Sequence, residues 1–163
     1  MKIFFLYLIV RNSSDLDMKD TILKKLKAKG MKLTPQRIAI IEAFAAHALL
    51  HPSANIIYEE AKKKRAGISL STIYYTLHEL AKNGIITILE FEKMDNRHEG
   101  NTEAHIHLIC KECKKIIDIF PHVFNPGEIV KNVDFLVTDM RFEYYGYCIQ
   151  CREHKDLTKR AVP

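Results

Sequence analysis

Two Cys-x-x-Cys pairs, Cys110/Cys113 and Cys148/Cys151, constrain this 163-residue chain more than any other feature. Each knuckle sets two sulfurs at the spacing that tetrahedral zinc requires, and two knuckles supply four thiolates with no open position. The 34 residues between Cys113 and Cys148 exceed the spacing of a compact zinc ribbon, so the fold must bring the knuckles together. Closed coordination of this kind makes one Zn(II) per subunit a structural ion and not a catalytic one. The alternatives are unpaired buried cysteines or a redox dithiol.

A secreted disulfide framework would need a signal peptide and scattered cysteine spacings. The apolar run from Ile3 to Val10 follows Lys2 and imitates a signal h-region. It lacks a small-x-small cleavage site and is too short to span a bilayer. The chain therefore reads as cytoplasmic, with no membrane partner. Met18 directly precedes the first amphipathic pattern, so residues 1–17 read as an appendage, disordered or the product of an upstream start codon. Apolar residues at 47% and charged residues at 28% are the mix of a soluble globular protein. The net charge of +5 permits nucleic-acid binding without demanding it.

Helical periodicity dominates from Met18 onward. Ile22, Leu23 and Leu26 share one face, and Gly30 supplies a C-cap. Thr34-Pro35 opens a second helix carrying Ile38, Ile41 and Ala45. A third opens at Ser53 and runs through Ile56, Ile57 and Ala61 into the basic run from Lys62 to Arg65. A fourth begins near Ser69, buries Leu70, Ile73, Leu77 and Leu80, and ends at Asn83-Gly84. The period then changes: Ile85 to Phe91 is strand-like, and Met94 to Arg97 reads as a turn. Helices followed by a short hairpin predict a winged helix-turn-helix over 18–93, with a hinge over 94–104. Beyond it, His105–Cys110, Lys114–Phe120 and Phe135–Tyr147 are strand candidates, and Pro126 to Asn132 suits a short helix. The expected class is α+β, the second domain covering 105–152 and a frayed tail 153–163.

Two further constellations carry chemistry. In His105-x-His107 both imidazoles point to one face of a strand. Asp118 follows on the neighbouring candidate strand, and Glu99 lies in the hinge. Imidazole and carboxylate ligands suit Fe(II), Mn(II) or Zn(II); the plain alternative is an exposed pair on a polar strand face. On the fourth helix the face opposite the core presents Ser71, Tyr74, Tyr75 and His78, beside Thr72. Hydroxyls and aromatic edges there can contact phosphates and thymine methyls, helped by Arg37 and Lys62 from the two basic stretches. An ordinary solvated surface, with Lys62 to Arg65 as a helix end favoured by the macrodipole, is the competing account.

In order along the chain, Leu33-Thr34-Pro35-Gln36-Arg37, His51-Pro52-Ser53-Ala54, Ser69-Leu70-Ser71-Thr72-Ile73-Tyr74, His105-Ile106-His107-Leu108-Ile109-Cys110 and Tyr145-Gly146-Tyr147-Cys148 resemble the ferric uptake regulator family. The resemblance covers about residues 19–153 and implies a homodimeric, metal-dependent repressor on a palindromic double-stranded DNA operator. It implies that the second domain serves dimerisation. It also adds His51 to the regulatory ligands, making the set His51, Glu99, His105, His107 and Asp118 around Fe(II) or Mn(II). His51 would tie the DNA-binding domain to ligands of the dimerisation domain.

Departures from the family pattern bear on the branch. Ala104, Ile106 and Met140 stand where iron-responsive members often carry a further metal site, so none is expected. Asp118 is the residue usual in peroxide sensors, whereas Glu99 is the residue less usual in them. His98 replaces a usual aromatic. The balance leans to a peroxide sensor, with an iron-uptake regulator using Fe(II) as co-repressor as the alternative. A metalloenzyme built on His105, His107, Asp118 and Glu99 is the reading from another class. It lacks a nucleophile motif and a phosphate loop, gives the helix-turn-helix no role, and calls for a small-molecule substrate that nothing here suggests.

Overall fold

A computed structural model describes residues 15–92, 94–121, 131, 134–138 and 140–154. The chain divides into two compact units, the first ending at Thr102 and the second beginning at Glu103.

The first unit contains α1 (Asp15–Ala28), α2 (Pro35–Ala45), a 3-10 turn (Ala48–Leu50), α3 (Ala54–Lys64), α4 (Leu70–Lys82), β1 (Thr87–Leu89) and β2 (Arg97–Glu99). Its helices start where side chains satisfy orphan backbone donors. Thr34 accepts from Arg37 N at 3.2 Å, Ser53 from Ile56 N at 3.4 Å and Ser69 from Thr72 N at 3.2 Å. Two helices end with one device. Gly30 (φ +67°) and Gly84 (φ +65°) adopt the left-handed conformation that only glycine takes cheaply. The following residue then bonds back, Met31 N to Leu26 O at 3.1 Å and Ile85 N to Leu80 O at 2.9 Å.

Ile22, Leu26, Ile40, Ile41, Phe44, Ile57, Ile73, Leu77, Leu80 and Ile85 form a fully buried core. On α2 the buried set is broader than a single stripe, and it includes Ile40 and Phe44 while Ile38 is half-buried. That helix packs against α1, α3 and α4, so more than one face is covered. On α3 the core takes Ile57 and Ala61, whereas Ile56 is 42% exposed. Adjacent positions on a helix sit about 100° apart, and on α3 Ile57 takes the covered side while Ile56 faces out. β1 and β2 pair antiparallel, with Ile88 opposite His98. The paired part of the hairpin is shorter than the expected Ile85–Phe91 strand, and its second strand falls at 97–99, inside the expected hinge.

The second unit holds β3 (Ile106–Cys110), β4 (Ile116–Ile119), β5 (Glu143–Gly146) and the short helix α5 (Ile149–His154). β3 is central, antiparallel to β4 and parallel to β5. The expected strand over Phe135–Tyr147 is realised only at its end, because β5 can be no longer than the β3 edge it pairs with. Phe135 and Leu136 are exposed outside any strand. The helix expected over 126–132 lies, apart from Lys131, outside the described residues. Among the described residues no helix is long and apolar enough to cross a membrane.

Candidate metal centres and nucleic-acid face

β3 and β4 are joined through a tight turn that carries Cys110 and Cys113, with Lys114 at φ +62°. Cys148 stands between β5 and α5, and Cys151 lies on α5 itself. Parallel pairing of β5 with β3 sets Cys110 opposite Gly146, which delivers the second knuckle to the first. The four Sγ atoms lie within 4.8 Å of one another, and Cys113 Sγ is 3.6 Å from Cys148 Sγ. Zinc–sulfur bonds of about 2.3 Å at the tetrahedral angle give sulfur–sulfur edges of roughly 3.8 Å, so these residues fit the ion. Burial pushes the Cys110 thiol up, but backbone amides of Cys148, Cys113 and Glu112, with the Cys113 thiol, outweigh it and bring it down to about 6. One of these contacts is Cys148 N–H to Cys110 Sγ at 3.4 Å. Donors aimed at a sulfur favour the thiolate that a metal needs.

The opposite face of the same sheet carries the imidazoles. His107 lies opposite Asp118 in the β3–β4 register, and His105 immediately precedes β3. Both histidines are buried. His105 Nδ1 is 2.6 Å from the Glu103 carbonyl oxygen. A carbonyl only accepts, so Nδ1 carries the proton and Nε2 keeps its lone pair, the arrangement common to metal-bound histidines. The His105 ring also stacks on Phe120, with centroids 4.9 Å apart. His105 Nε2 and His107 Nε2 are 2.9 Å apart, and each is 3.8 Å from Asp118 Oδ1. Adjacent nitrogens about 2.1 Å from one ion at right angles would be roughly 3.0 Å apart. Two imidazoles and a carboxylate therefore fit a divalent cation of the Fe(II), Mn(II) or Zn(II) type.

In the first unit, His51 caps the 3-10 turn at φ 48°, ψ 68° and is only 1% exposed. A left-handed histidine directly before proline is costly, because proline disfavours helical conformations at the preceding residue. The surroundings hold it there. Ser53 bridges to Arg97, and Pro52 O accepts both the backbone N–H of His98 at 3.1 Å and its Nδ1–H at 3.0 Å. β2 thus continues into Glu99, whose Oε1 stands 3.7 Å from His51 Nε2. His98 is 2% exposed; burial lowers its pKa below the usual histidine range, with the Pro52 contact opposing and Arg97 reinforcing that shift. The pattern of residues gave no sign of this His98–Pro52 link, since it joins positions 46 apart in sequence.

The expected nucleic-acid face separates into two groups. Tyr74 and Tyr75 are 50% and 63% exposed on α4, beside exposed Ser71 and His78. Ser71 and Thr72 hydroxyls each lie 2.8 Å from the Ser69 cap hydroxyl. Arg37 Nη1 donates to Lys32 O at 2.5 Å. Lys62 pairs with Glu59 at 2.6 Å and lies over the Tyr58 ring.

The family described as the ferric uptake regulator family matches residues 28–145. The peroxide-responsive repressor PerR of Staphylococcus epidermidis is 36% identical over 144 residues, covering 86% of this chain and 94% of that protein. The crystal structure of the Vibrio cholerae ferric uptake regulator matches with a TM-score of 0.62 at 29% identity, covering 77% of this chain and 98% of the other. The Campylobacter jejuni peroxide stress regulator matches with a TM-score of 0.58 at 26% identity, covering 79% and 98%.

Proposed function

The chain belongs to the ferric uptake regulator family, and from that premise we propose that it is a homodimeric transcriptional repressor whose operator binding depends on Fe(II) or Mn(II) and responds to peroxide. The observation that carries this reading is the convergence of His105 and His107 on Asp118. It is a buried donor set of the kind redox-active divalent metals prefer, separate from the four cysteines.

His51 and Glu99 complete the set in this proposal, so one ion joins the DNA-reading unit to the other. Fixing the reading heads at the spacing of a palindromic operator requires a differential binding energy of about 5.5 kcal/mol to swing an equilibrium from 1:99 to 99:1. A multidentate site can supply that. Zn(II) at Cys110, Cys113, Cys148 and Cys151 holds the second unit folded. α4 enters the major groove with Tyr74 and Tyr75 leading, while Ser71, Thr72, Arg37 and Lys62 approach the backbone. Leu108, Ile117 and Tyr144 form an exposed row across the sheet, an apolar strip suited to a second copy of the chain. Cytoplasmic residence follows from work on DNA.

When bound, Fe(II) supplies the electrons that make peroxide reactive at the site. The likeness to the Staphylococcus epidermidis repressor supports the peroxide branch. The likeness to the Vibrio cholerae regulator, together with Glu99, favours the second reading, Fe(II) as a simple co-repressor of iron uptake. Operator affinity of zinc-loaded protein with Fe(II) or Mn(II), before and after peroxide, separates them. Loss of binding only for the Fe(II) form supports peroxide sensing. Metal dependence without a peroxide response supports iron sensing, and binding indifferent to either metal overturns both.

A further inference from the structure

We propose that His98 is a positioning residue for the regulatory metal: it clamps the Pro52 carbonyl and thereby holds the left-handed His51 in ligating geometry beside Glu99. The inference rests on the reading of His51 and Glu99 as metal ligands.

Three observations within the first unit carry it. His51 occupies a strained conformation, φ 48° immediately before Pro52, which requires outside restraint to persist. Pro52 O, the acceptor next along the backbone, receives two donors from one residue, His98 N at 3.1 Å and His98 Nδ1 at 3.0 Å. His98 is also the neighbour of Glu99 on β2, which pairs with β1 through Ile88 opposite His98. One buried ring therefore ties the backbone after His51 to the strand that carries Glu99. A hydrophobic aromatic at this position would fill the same space and keep the backbone donor, but it would leave Pro52 O with one bond in place of two. The Nδ1–H donor is the specific contribution of the His98 side chain. Its effect is to reduce the conformational freedom that the ion must otherwise remove on binding.

The test uses the full-length, zinc-loaded protein and Mn(II) alone as probe. Mn(II) affinity is measured by electron paramagnetic resonance titration, with thermal melting of the Mn(II)-free protein in parallel. His98→Phe keeps ring volume and strand pairing and removes the side-chain donor; it should weaken Mn(II) binding about tenfold, as loss of an outer hydrogen-bonding partner commonly does. His98→Asn places an amide N–H near the Nδ1 position and should recover most of the affinity even if melting falls, because the cavity it leaves lowers stability alone. His51→Ala is the control for the reading beneath the proposal. If His51→Ala binds Mn(II) like the parent, His51 is not a ligand and both ideas fall. If His51→Ala loses binding while His98→Phe retains it, the metal site stands and the clamp is refuted. Equal weakening by Phe and Asn, in step with lowered melting, also refutes the clamp, since packing alone would then explain it.

Discussion

Cys113 and Cys148, separated by 34 residues, bring their sulfurs to 3.6 Å. That is far beyond a disulfide bond of about 2.05 Å and close to one edge of a zinc tetrahedron. Cys110→Ser or Cys148→Ser should therefore abolish stoichiometric zinc and unfold the second unit, lowering stability by several kcal/mol (roughly a third of a structural zinc's binding energy or more). Zinc content by inductively coupled plasma spectrometry and thermal melting check both parts. Full zinc with unchanged melting would contradict the assignment.

On α4 the side chain of Ile73 is fully buried while that of Tyr74 is half exposed, so the two neighbours separate folding from recognition. Tyr74→Ala should leave melting within about 0.5 kcal/mol of the parent, as surface substitutions usually do. It should weaken operator binding and relax sequence preference, by roughly 1–3 kcal/mol if the ring contacts bases. Lys62 is held by Glu59 at 2.6 Å. Its replacement should weaken all DNA alike and change the salt slope by less than about 1, because the ion pair competes with phosphate. Salt-dependent titration with specific and scrambled duplexes measures each effect.

Gly84 occupies φ +65° with no atom within 4 Å of an added Cβ, so strain and not a clash opposes substitution. Gly84→Ala should cost about 1 kcal/mol in the first unit, read by denaturant unfolding, while zinc content stays unchanged. A loss of zinc would show that the second unit depends on this turn.

These contrasts show what could be read from residues alone. Capping side chains such as Thr34, Ser53 and Ser69 act locally, within three residues, so helix starts are legible. The knuckles are legible too, because ligand type and spacing state their chemistry. Of the adjacent Ile56 and Ile57 only the second is buried, a choice of face that two neighbouring isoleucines leave open in the sequence. The strand expected over Phe135–Tyr147 overshoots because its length is limited by β3, a tertiary partner. Asp118 reaches His107 through strand register, which candidate strands suggest without fixing. The His98–Pro52 contact is beyond any local pattern, since it arises only when β2 folds back on the start of α3.

His105 Nε2 faces His107 Nε2 at 2.9 Å, with its Nδ1 proton held by Glu103 O. Its face stacks on Phe120, and this contact together with the Glu103 carbonyl restrains the ring. In the proposed site His51 is likewise fixed, by its strained backbone and the contacts of Pro52. Immobile imidazoles beside an Fe(II) that reduces peroxide are the expected targets. In the balanced step one peroxide gives an oxygen atom to an imidazole C–H, the ring loses two electrons, and the other peroxide oxygen leaves as water. An oxidised ring would be a poorer ligand, so in the proposed mechanism operator affinity should fall. Peptides containing His51 or His105 should gain about 16 Da after brief exposure of Fe(II)-loaded protein, and not of Mn(II)-loaded protein. The four thiolates should react more slowly, because zinc withholds their lone pairs. Release of zinc with both histidines intact would place the sensor at the cysteines instead. Absence of any change in mass or DNA affinity would return the chain to the iron-sensing branch.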